Sequence, residues 1–292
     1  MFGELKHPSM KYISIVIFCL FVLTGFNATA QDEILIPENF YLHKGDKLNL
    51  HLISANQFVK QDELGFDPAK SESFANYAVA KKPVKDIPTK AGDTVAVLAL
   101  EKEGLNLIGM KRKQVVDDVE RDDFLKILDD EGLSQFSEKA KNGSKDNFRE
   151  RYTWYLKTLL KVDKNSPNDF EKSIDQEYEI ILKDNPYKGN YGDDIIGAVY
   201  FKGKPVVAAN VLFYIKSMGG NVFVQKLSTD KLGQFYFKLT REGIYMLRSL
   251  HMEESKNKGI DYDTWMTTYT FAFTSVNEMP NTYKEFGFGN KH

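Results

Sequence analysis

The sequence has a single cysteine, Cys19, which lies in an apolar segment near the N-terminus. The chain after residue 30 therefore has no disulfide, no thiolate metal ligand and no cysteine nucleophile. It also lacks the Gly-x-Ser-x-Gly, His-Glu-x-x-His and dinucleotide-binding patterns of common enzyme classes. These absences favour a binding or structural protein, and the sequence predicts that the protein is not an enzyme.

An excess of either charge is absent too, with 39 basic and 41 acidic residues. No basic block alternates with aromatic residues, so nucleic acid is not predicted as a partner. After residue 30, no segment approaches the roughly 20 apolar residues that a membrane-spanning helix needs. Once the N-terminal segment has been removed, we therefore expect no transmembrane segment.

The first thirty residues are typical of an export signal. A short basic segment precedes the apolar run 13–23, and Ala28-Thr29-Ala30 follows it. This small-x-small pattern predicts a signal peptide, 1–30, with cleavage between Ala30 and Gln31. An uncleaved N-terminal anchor is the alternative. An exported chain without disulfides is typical of the bacterial periplasm, with the cell surface or the medium as the alternative locations.

The N-terminal half, 31–175, is predicted to be a β domain with a helical insert. Leu48, Leu50 and Leu52 alternate after a Gly45-Asp46 turn, which predicts a strand. The apolar spacing then changes to a helical period over about 119–161. The residues that carry this period are Val119, Phe124, Ile127 and Leu128, and then Phe148, Tyr152, Leu156 and Leu160.

The C-terminal half returns to a period of two from about residue 176. Phe235, Phe237 and Leu239 share one face of a predicted strand, and several similar strands are separated by Gly, Pro and Asp turns. This spacing predicts a β-sandwich over 176–275, followed by a loose tail, 276–292. The predicted fold class is mainly β, with β-sandwich domains and a helical insert in the N-terminal half.

Two groups of motifs resemble known families. Gly203-Lys204-Pro205, followed by Thr229-Asp230 and Gly233-x-Phe235-x-Phe237, resembles the carboxypeptidase-regulatory-like or prealbumin-like sandwich, an immunoglobulin-like, non-catalytic module. Two further segments are similar to the DUF4198 family: Leu128-Asp129-Asp130-Glu131-Gly132-Leu133, and the run from Arg149-Glu150-Arg151 to Leu159.

DUF4198 proteins are exported proteins linked to nickel and cobalt uptake. The resemblance therefore implies a periplasmic accessory or binding protein that handles a divalent transition metal. It also implies a metal-uptake transporter or an outer-membrane receptor as partner. Family members often begin with a histidine beside aromatic residues, whereas the segment 31–37 has none. The alternative is a cell-envelope structural or interaction module without a small ligand, whose edge strands pair with a partner.

The residues that could bind a metal ion lie near the end of the predicted sandwich. His251 and Glu253 would point to one face of a strand, and imidazole with carboxylate suits a divalent ion. Asp261 and Asp263 follow a turn and are predicted to join them. The alternative is a surface histidine beside solvated acids.

Three further groups of residues are candidates for binding or structure. His43 and His51 lie across a predicted hairpin and form a second possible metal pair. Tyr187 and Trp265 are predicted to line a ligand groove between the domains, with core packing as the alternative. Arg151 and the adjacent Glu150 are predicted to form a buried ion pair.

Overall fold

The computed structural model describes residues 31–78, 86–165 and 169–289. The predicted signal peptide and the Ala30 side of its cleavage site lie outside these residues. The described chain is mainly β, as the sequence predicts. No helix within the described ranges is long and apolar enough to cross a membrane.

Seventeen strands and three α-helices follow one another within these described ranges. The strands are β1 (Asp32–Pro37), β2 (Tyr41–Leu42), β3 (Lys47–Asn56), β4 (Val59–Leu64), β5 (Ser71–Asn76), β6 (Val95–Ala99), β7 (Gly104–Arg112), β8 (Val115–Glu120), β9 (Asn147–Val162), β10 (Tyr178–Leu182), β11 (Asp194–Phe201), β12 (Lys204–Pro205), β13 (Asn210–Lys216), β14 (Val222–Ser228), β15 (Gln234–Lys238), β16 (Gly243–Glu254) and β17 (Tyr262–Phe273). The helices are α1 (Arg121–Glu131), α2 (Ser134–Asn142) and α3 (Thr282–Glu285). Two short 3-10 helices span Pro68–Lys70 and Asp169–Glu171.

The strands form three sheets, and the largest is the middle layer. Its order is β14-β13-β16-β17-β9-β7-β5, and β2 and β8 also pair with β9. Leu156 and Leu160 of β9 pack in a core shared with β1 and β3, which we call the first core. Tyr155 and Leu159 pack in a second core, shared with β10, β11 and β15. Successive side chains of a strand point to opposite faces, so each face of the nine-stranded sheet is covered by a four-stranded sheet.

The helical insert predicted for 119–161 is wrong in its second half. Helix α1 ends at Glu131 and helix α2 ends at Asn142, and the segment from Asn147 is the long strand β9. Because β9 is covered on both faces, large apolar side chains occupy five of the seven positions from Trp154 to Leu160, and all seven residues are buried. A run of this kind contains the four-residue spacing of a helix as well as the two-residue spacing of a strand.

The predicted loose tail is also wrong, because its described part is folded. The segment 282–288, which begins with α3 and which we call the α3 segment, packs beside β1. The Thr282 backbone N–H donates to the Glu38 carbonyl at 2.6 Å. Tyr283, Phe286 and Phe288 are buried against the first core. These apolar residues are too few to establish a period, so their packing partners are decided by the tertiary fold.

The nine-stranded sheet takes strands from both sides of residue 176. Strand β9 of the N-terminal half pairs in parallel with β17 of the C-terminal half, from Tyr262 opposite Glu150 to Thr270 opposite Thr158. This sheet therefore belongs to both predicted domains. The strand predicted at Leu48–Leu52 is confirmed as β3, and the one predicted at Phe235–Phe237 as β15.

Candidate functional site

The structure brings four of the eight residues predicted to bind a metal or to line a ligand groove to one face of the nine-stranded sheet. On adjacent antiparallel strands, His251 of β16 lies opposite Trp265 of β17, and Glu253 lies opposite Asp263. Residues directly opposite each other in such a pair share a face, and so do residues two apart on one strand. We call His251, Glu253, Asp263 and Trp265 the His251 site.

His251 and Glu253 approach each other at this site. The His251 Nε2 lies 3.4 Å from a Glu253 carboxylate oxygen. Burial lowers the pKa of His251, and the neighbouring Glu253 only partly opposes that effect. The imidazole is therefore neutral at neutral pH, which is the protonation state that binds metal ions.

Asp263 is held by an arginine rather than by the histidine. The Arg151 Nε donates to the Asp263 carboxylate at 2.6 Å. This ion pair replaces the predicted pair between Arg151 and Glu150, since adjacent residues of β9 point to opposite faces of the sheet. One donor of the predicted metal site is thus already engaged by a cation.

Asp261 is not part of the site. It precedes β17 and forms an ion pair with Lys145, and it accepts the Arg149 backbone N–H at 2.9 Å. Within residues 31–78, 86–165 and 169–289, no group of three or more His, Cys, Asp and Glu side chains is placed to hold a metal ion. The described residues therefore offer a metal two donors that pair only with each other, His251 and Glu253.

An aromatic wall borders the site. The centroid of the Phe201 ring lies 4.8 Å from that of the buried Trp265 ring and 4.3 Å from that of the His251 ring. The Lys202 ammonium sits 4.5 Å from the Phe201 centroid and 5.0 Å from that of Trp265, a cation–π arrangement. Trp265 thus packs against other aromatic rings, as the alternative prediction proposed.

Tyr187 lies in a different part of the molecule. Its hydroxyl donates to the Leu159 carbonyl at 2.6 Å, and its ring packs edge-on against Tyr41 at 5.3 Å. The hydroxyl is also near Ala272, which lies roughly 23 Å along β17 from Trp265 at about 3.3 Å per residue. The structure therefore does not bring Tyr187 and Trp265 into one groove.

His43 and His51 also have separate partners. The exposed His43 Nδ1 lies 2.7 Å from Asp163, which raises the pKa of this histidine. The buried His51 lies between Glu63 at 2.6 Å and Glu38 at 3.2 Å. The predicted metal pair is not formed.

Sequence reasoning missed two strands, β14 and β8, that each leave an edge of the nine-stranded sheet exposed. Among the described strands, β14 pairs with β13 alone and β8 pairs with β9 alone. Each edge exposes apolar side chains: Phe223 at 39% and Val224 at 60% on β14, and Val115 at 44% and Val116 at 43% on β8. The sequence signal for these edges is that apolar and polar residues alternate only weakly in both segments. In agreement, most of their side chains are exposed on both faces of the sheet.

The hydrogen-bond pattern shows which backbone groups face outward at each edge. At the two ends of the β13–β14 pair, Ser217 N donates to Asn221 O at 2.9 Å and Thr229 N donates to Ala209 O at 3.1 Å. Antiparallel ladders alternate hydrogen-bonded and non-hydrogen-bonded residue pairs. The odd-numbered residues of β14 therefore bond inward to β13, and Val222, Val224, Lys226 and Ser228 point their N–H and C=O groups outward.

The same argument applies to β8. Arg121 N donates to Asp146 O at 2.9 Å, so the odd-numbered residues bond to β9. The outward residues are then Val116, Asp118 and Glu120. In agreement, the Asp118 N–H donates to the Asp117 side chain rather than to the ladder.

Comparison with known proteins gives weak structural similarities. No curated protein matches the sequence. The D0-D1 domain of Intimin aligns at 13% identity and a TM-score of 0.20, covering 82% of this chain and 97% of that one. A tetra-tandem repeat from the extending region of a large adhesion protein aligns at 10% identity and a TM-score of 0.22, covering 84% and 50%. Three N-terminal domains of the bacteriophage RB49 Hoc capsid protein align at 9% identity and 0.19, covering 84% and 71%. TM-scores this low carry no argument about function.

One family matches most of the chain. Residues 28–253 match the family described as "Domain of unknown function (DUF4198)". This range contains both sheet edges and, from the His251 site, His251 and Glu253. The family description names no reaction, so it indicates no catalytic class. The chain belongs to the DUF4198 family.

Proposed function

We propose that this chain is a non-catalytic binding protein that works outside the cytoplasm and holds partner proteins at the edges of its nine-stranded sheet. The observation that carries this proposal is the pair of edge strands, β8 and β14, each of which exposes apolar side chains. Within the part of the chain that the structure describes, their outward N–H and C=O groups have no ladder partner. Such edges pair readily with another extended segment.

The sequence supports a location in the cell envelope. An apolar run followed by Ala28-Thr29-Ala30 has the pattern of an export signal. The absence of cysteine after residue 30 suits a bacterial periplasm, where a folded chain of this size is stable without disulfides.

Proline substitution at an edge tests the proposal. Val116→Pro removes one outward N–H of β8 but no bond to β9, and Val224→Pro does the same at β14. Proteins crosslinked to the wild-type chain in intact cells should be lost from at least one of these variants. Lys231→Pro is the matched control, because Lys231 is the second residue of the Asp230–Gly233 turn, where proline fits. If both edge variants retain every partner at wild-type yield, the proposal is wrong.

Metal handling is the second candidate, favoured by the approach of the neutral His251 to Glu253. A metal-uptake transporter or receptor would then be the partner. The fit is incomplete, because Arg151 holds Asp263. A third protein donor becomes available only if this ion pair opens.

Thermal unfolding with chelator and then with nickel, cobalt, zinc and copper tests this candidate. A ligand that binds only the native state at a hundredfold excess over Kd stabilises it by about 2.7 kcal/mol. His251→Ala should abolish the shift, and Arg151→Met should increase it by releasing Asp263. No shift with any metal, in the wild type or in Arg151→Met, would remove metal handling from consideration.

A further inference from the structure

We infer that β14 pairs with β14 of a second copy, joining two nine-stranded sheets across a two-fold axis. This inference rests on the proposed function, and it names the partner at one of the two edges. It follows from the backbone geometry of β14, from the side chains that the pairing would align, and from a contrast with β8.

The outward backbone groups of β14 match themselves. A two-fold axis through Gln225 places Val224 of one copy opposite Lys226 of the other, and Val222 opposite Ser228. All four residues point N–H and C=O outward, so each aligned pair can exchange two hydrogen bonds. The two-fold axis is normal to the sheet, so corresponding faces of the two nine-stranded sheets lie on the same side. Each covering layer therefore lies on the same side as its counterpart in the second copy.

The side chains also match in this register. Phe223 lies opposite Leu227 of the second copy, on the face where Leu227 already packs against the core under β13. Gln225 lies opposite itself, and Val224 lies opposite the alkyl stem of Lys226. No pair of like charges is aligned, and the exposed Phe223 and Val224 lose contact with water.

A lysine on an exposed edge normally prevents pairing with another strand. Lys226 is the only charged residue of β14, and its ammonium donates to the Asp130 carbonyl at 3.0 Å, at the end of α1. This contact directs the charge toward the helix rather than across the edge. The usual protection against edge-to-edge association is therefore weak here.

Strand β8 shows the opposite behaviour. Its sequence carries Asp117, Asp118 and Glu120. Every antiparallel self-pairing that aligns the outward residues and uses more than half of this strand places carboxylates directly opposite each other, which is destabilising. Strand β8 therefore does not join two copies, and it remains available for a different partner.

Sedimentation equilibrium over a range of concentrations tests the inference on the exported, purified chain. We expect a reversible dimer for the wild type and a monomer for Val224→Pro, which loses one outward donor of β14. Val116→Pro, the matched proline on the other edge, should remain a dimer. Circular dichroism and thermal unfolding identify any variant that fails to fold.

Disulfide trapping tests the register without relying on a disruptive variant. Because no cysteine follows residue 30, Gln225→Cys introduces a unique thiol beside its own symmetry mate. In a non-hydrogen-bonded pair the two Cα atoms are about 4.5 Å apart, within the range for a disulfide. Mild oxidation should convert Gln225→Cys to a covalent dimer, whereas Lys231→Cys in the turn should stay monomeric.

The outcomes separate this inference from the proposed function. A wild-type chain that is monomeric at every concentration, with no trapping of Gln225→Cys, overturns the inference. If β8 or β14 proline variants of that monomer still lose their crosslinked partners, the proposed function stands. If the chain dimerises through β14 and the proline variants lose no crosslinked protein other than the second copy, the inference is supported. The proposed binding of other proteins is then not supported.

Discussion

At the scale of single residues, buried ionisable groups lie on both faces of the nine-stranded sheet in contrasting environments. Lys157 and Glu179 form an ion pair with side-chain exposures of 1% and 3%, supported by Ser173 and by the Ile174 backbone N–H. On the other face, the described residues give Glu150 no cationic partner. Burial is therefore compensated in one case and not in the other.

Glu150→Gln should stabilise the protein at neutral pH. Burial raises the pKa of Glu150, and Asp117, which lies opposite it on β8, raises the pKa further. The folded state then keeps a proton that the unfolded state has lost, so the stability of the wild type falls as pH rises through the folded pKa. Urea unfolding should show equal stability of wild type and variant in acid, and a growing advantage for Glu150→Gln toward neutral pH. A constant difference at all pH values would contradict this account.

Lys157→Met should strongly destabilise the fold, because it leaves the Glu179 carboxylate buried and unpaired. The loss of one partner of such a pair costs about 3–5 kcal/mol. Adding Glu179→Leu should recover much of that free energy of unfolding, which a double-mutant cycle measures. The exposed pair Lys238–Asp194 is the control, and Lys238→Met should cost less than about 1 kcal/mol.

At the scale of elements, the α3 segment packs against the sheet that contains β1, β3 and β4. The Tyr283 ring stacks on His51 at 3.6 Å, and its hydroxyl donates to Glu63. Phe288 packs 5.5 Å from Phe58, whose left-handed φ of 64° lies in the tight turn between β3 and β4. The segment therefore covers a strained turn and completes the first core.

Phe288→Ala should test how much this segment contributes. Removing a fully buried phenylalanine costs about 3–5 kcal/mol, because apolar burial is lost and a cavity remains. Leu232→Ala, at a residue that is 66% exposed, should change the free energy of unfolding little. Equal, small effects of the two variants in urea titrations would show that the segment detaches readily.

At the scale of the whole molecule, one sheet lies between two others and joins both halves of the chain. The parallel pairing of β9 with β17 crosses the predicted domain boundary, and β9 supplies side chains to both cores. Neither core can lose β9 without disrupting the other. The three layers should therefore unfold together.

The two tryptophans provide a test, because Trp154 lies in the first core and Trp265 in the second. Trp265→Phe leaves fluorescence that reports on the first core, and Trp154→Phe leaves a reporter in the second. Urea unfolding followed by fluorescence should give coincident midpoints, matching circular dichroism, once corrected for the stability of each variant. Two separated transitions would instead indicate that the halves of the chain unfold independently.

The sequence alone determined the features that depend on local pattern. Alternating apolar residues correctly placed β3 and β15, and short motifs identified the DUF4198 family. Proximity within one strand also brought His251 and Glu253 together as expected. In each case the information lies within a few consecutive residues, where the backbone period fixes which side chains share a face.

The tertiary structure decided everything that depends on contacts between distant residues. Strand β9 resembled a helix because both of its faces are buried, and only its pairing with β7 and β17 resolves the ambiguity. Arg151 forms an ion pair with Asp263 rather than with its neighbour Glu150, because adjacent residues of a strand point to opposite faces of the sheet. The sequences of β8 and β14 alternate only weakly, and this does not tell where either strand lies in the sheet. Among the described residues their outward backbone groups have no ladder partner, because β14 ends the strand order and β8 pairs only with β9. No local pattern encodes this arrangement.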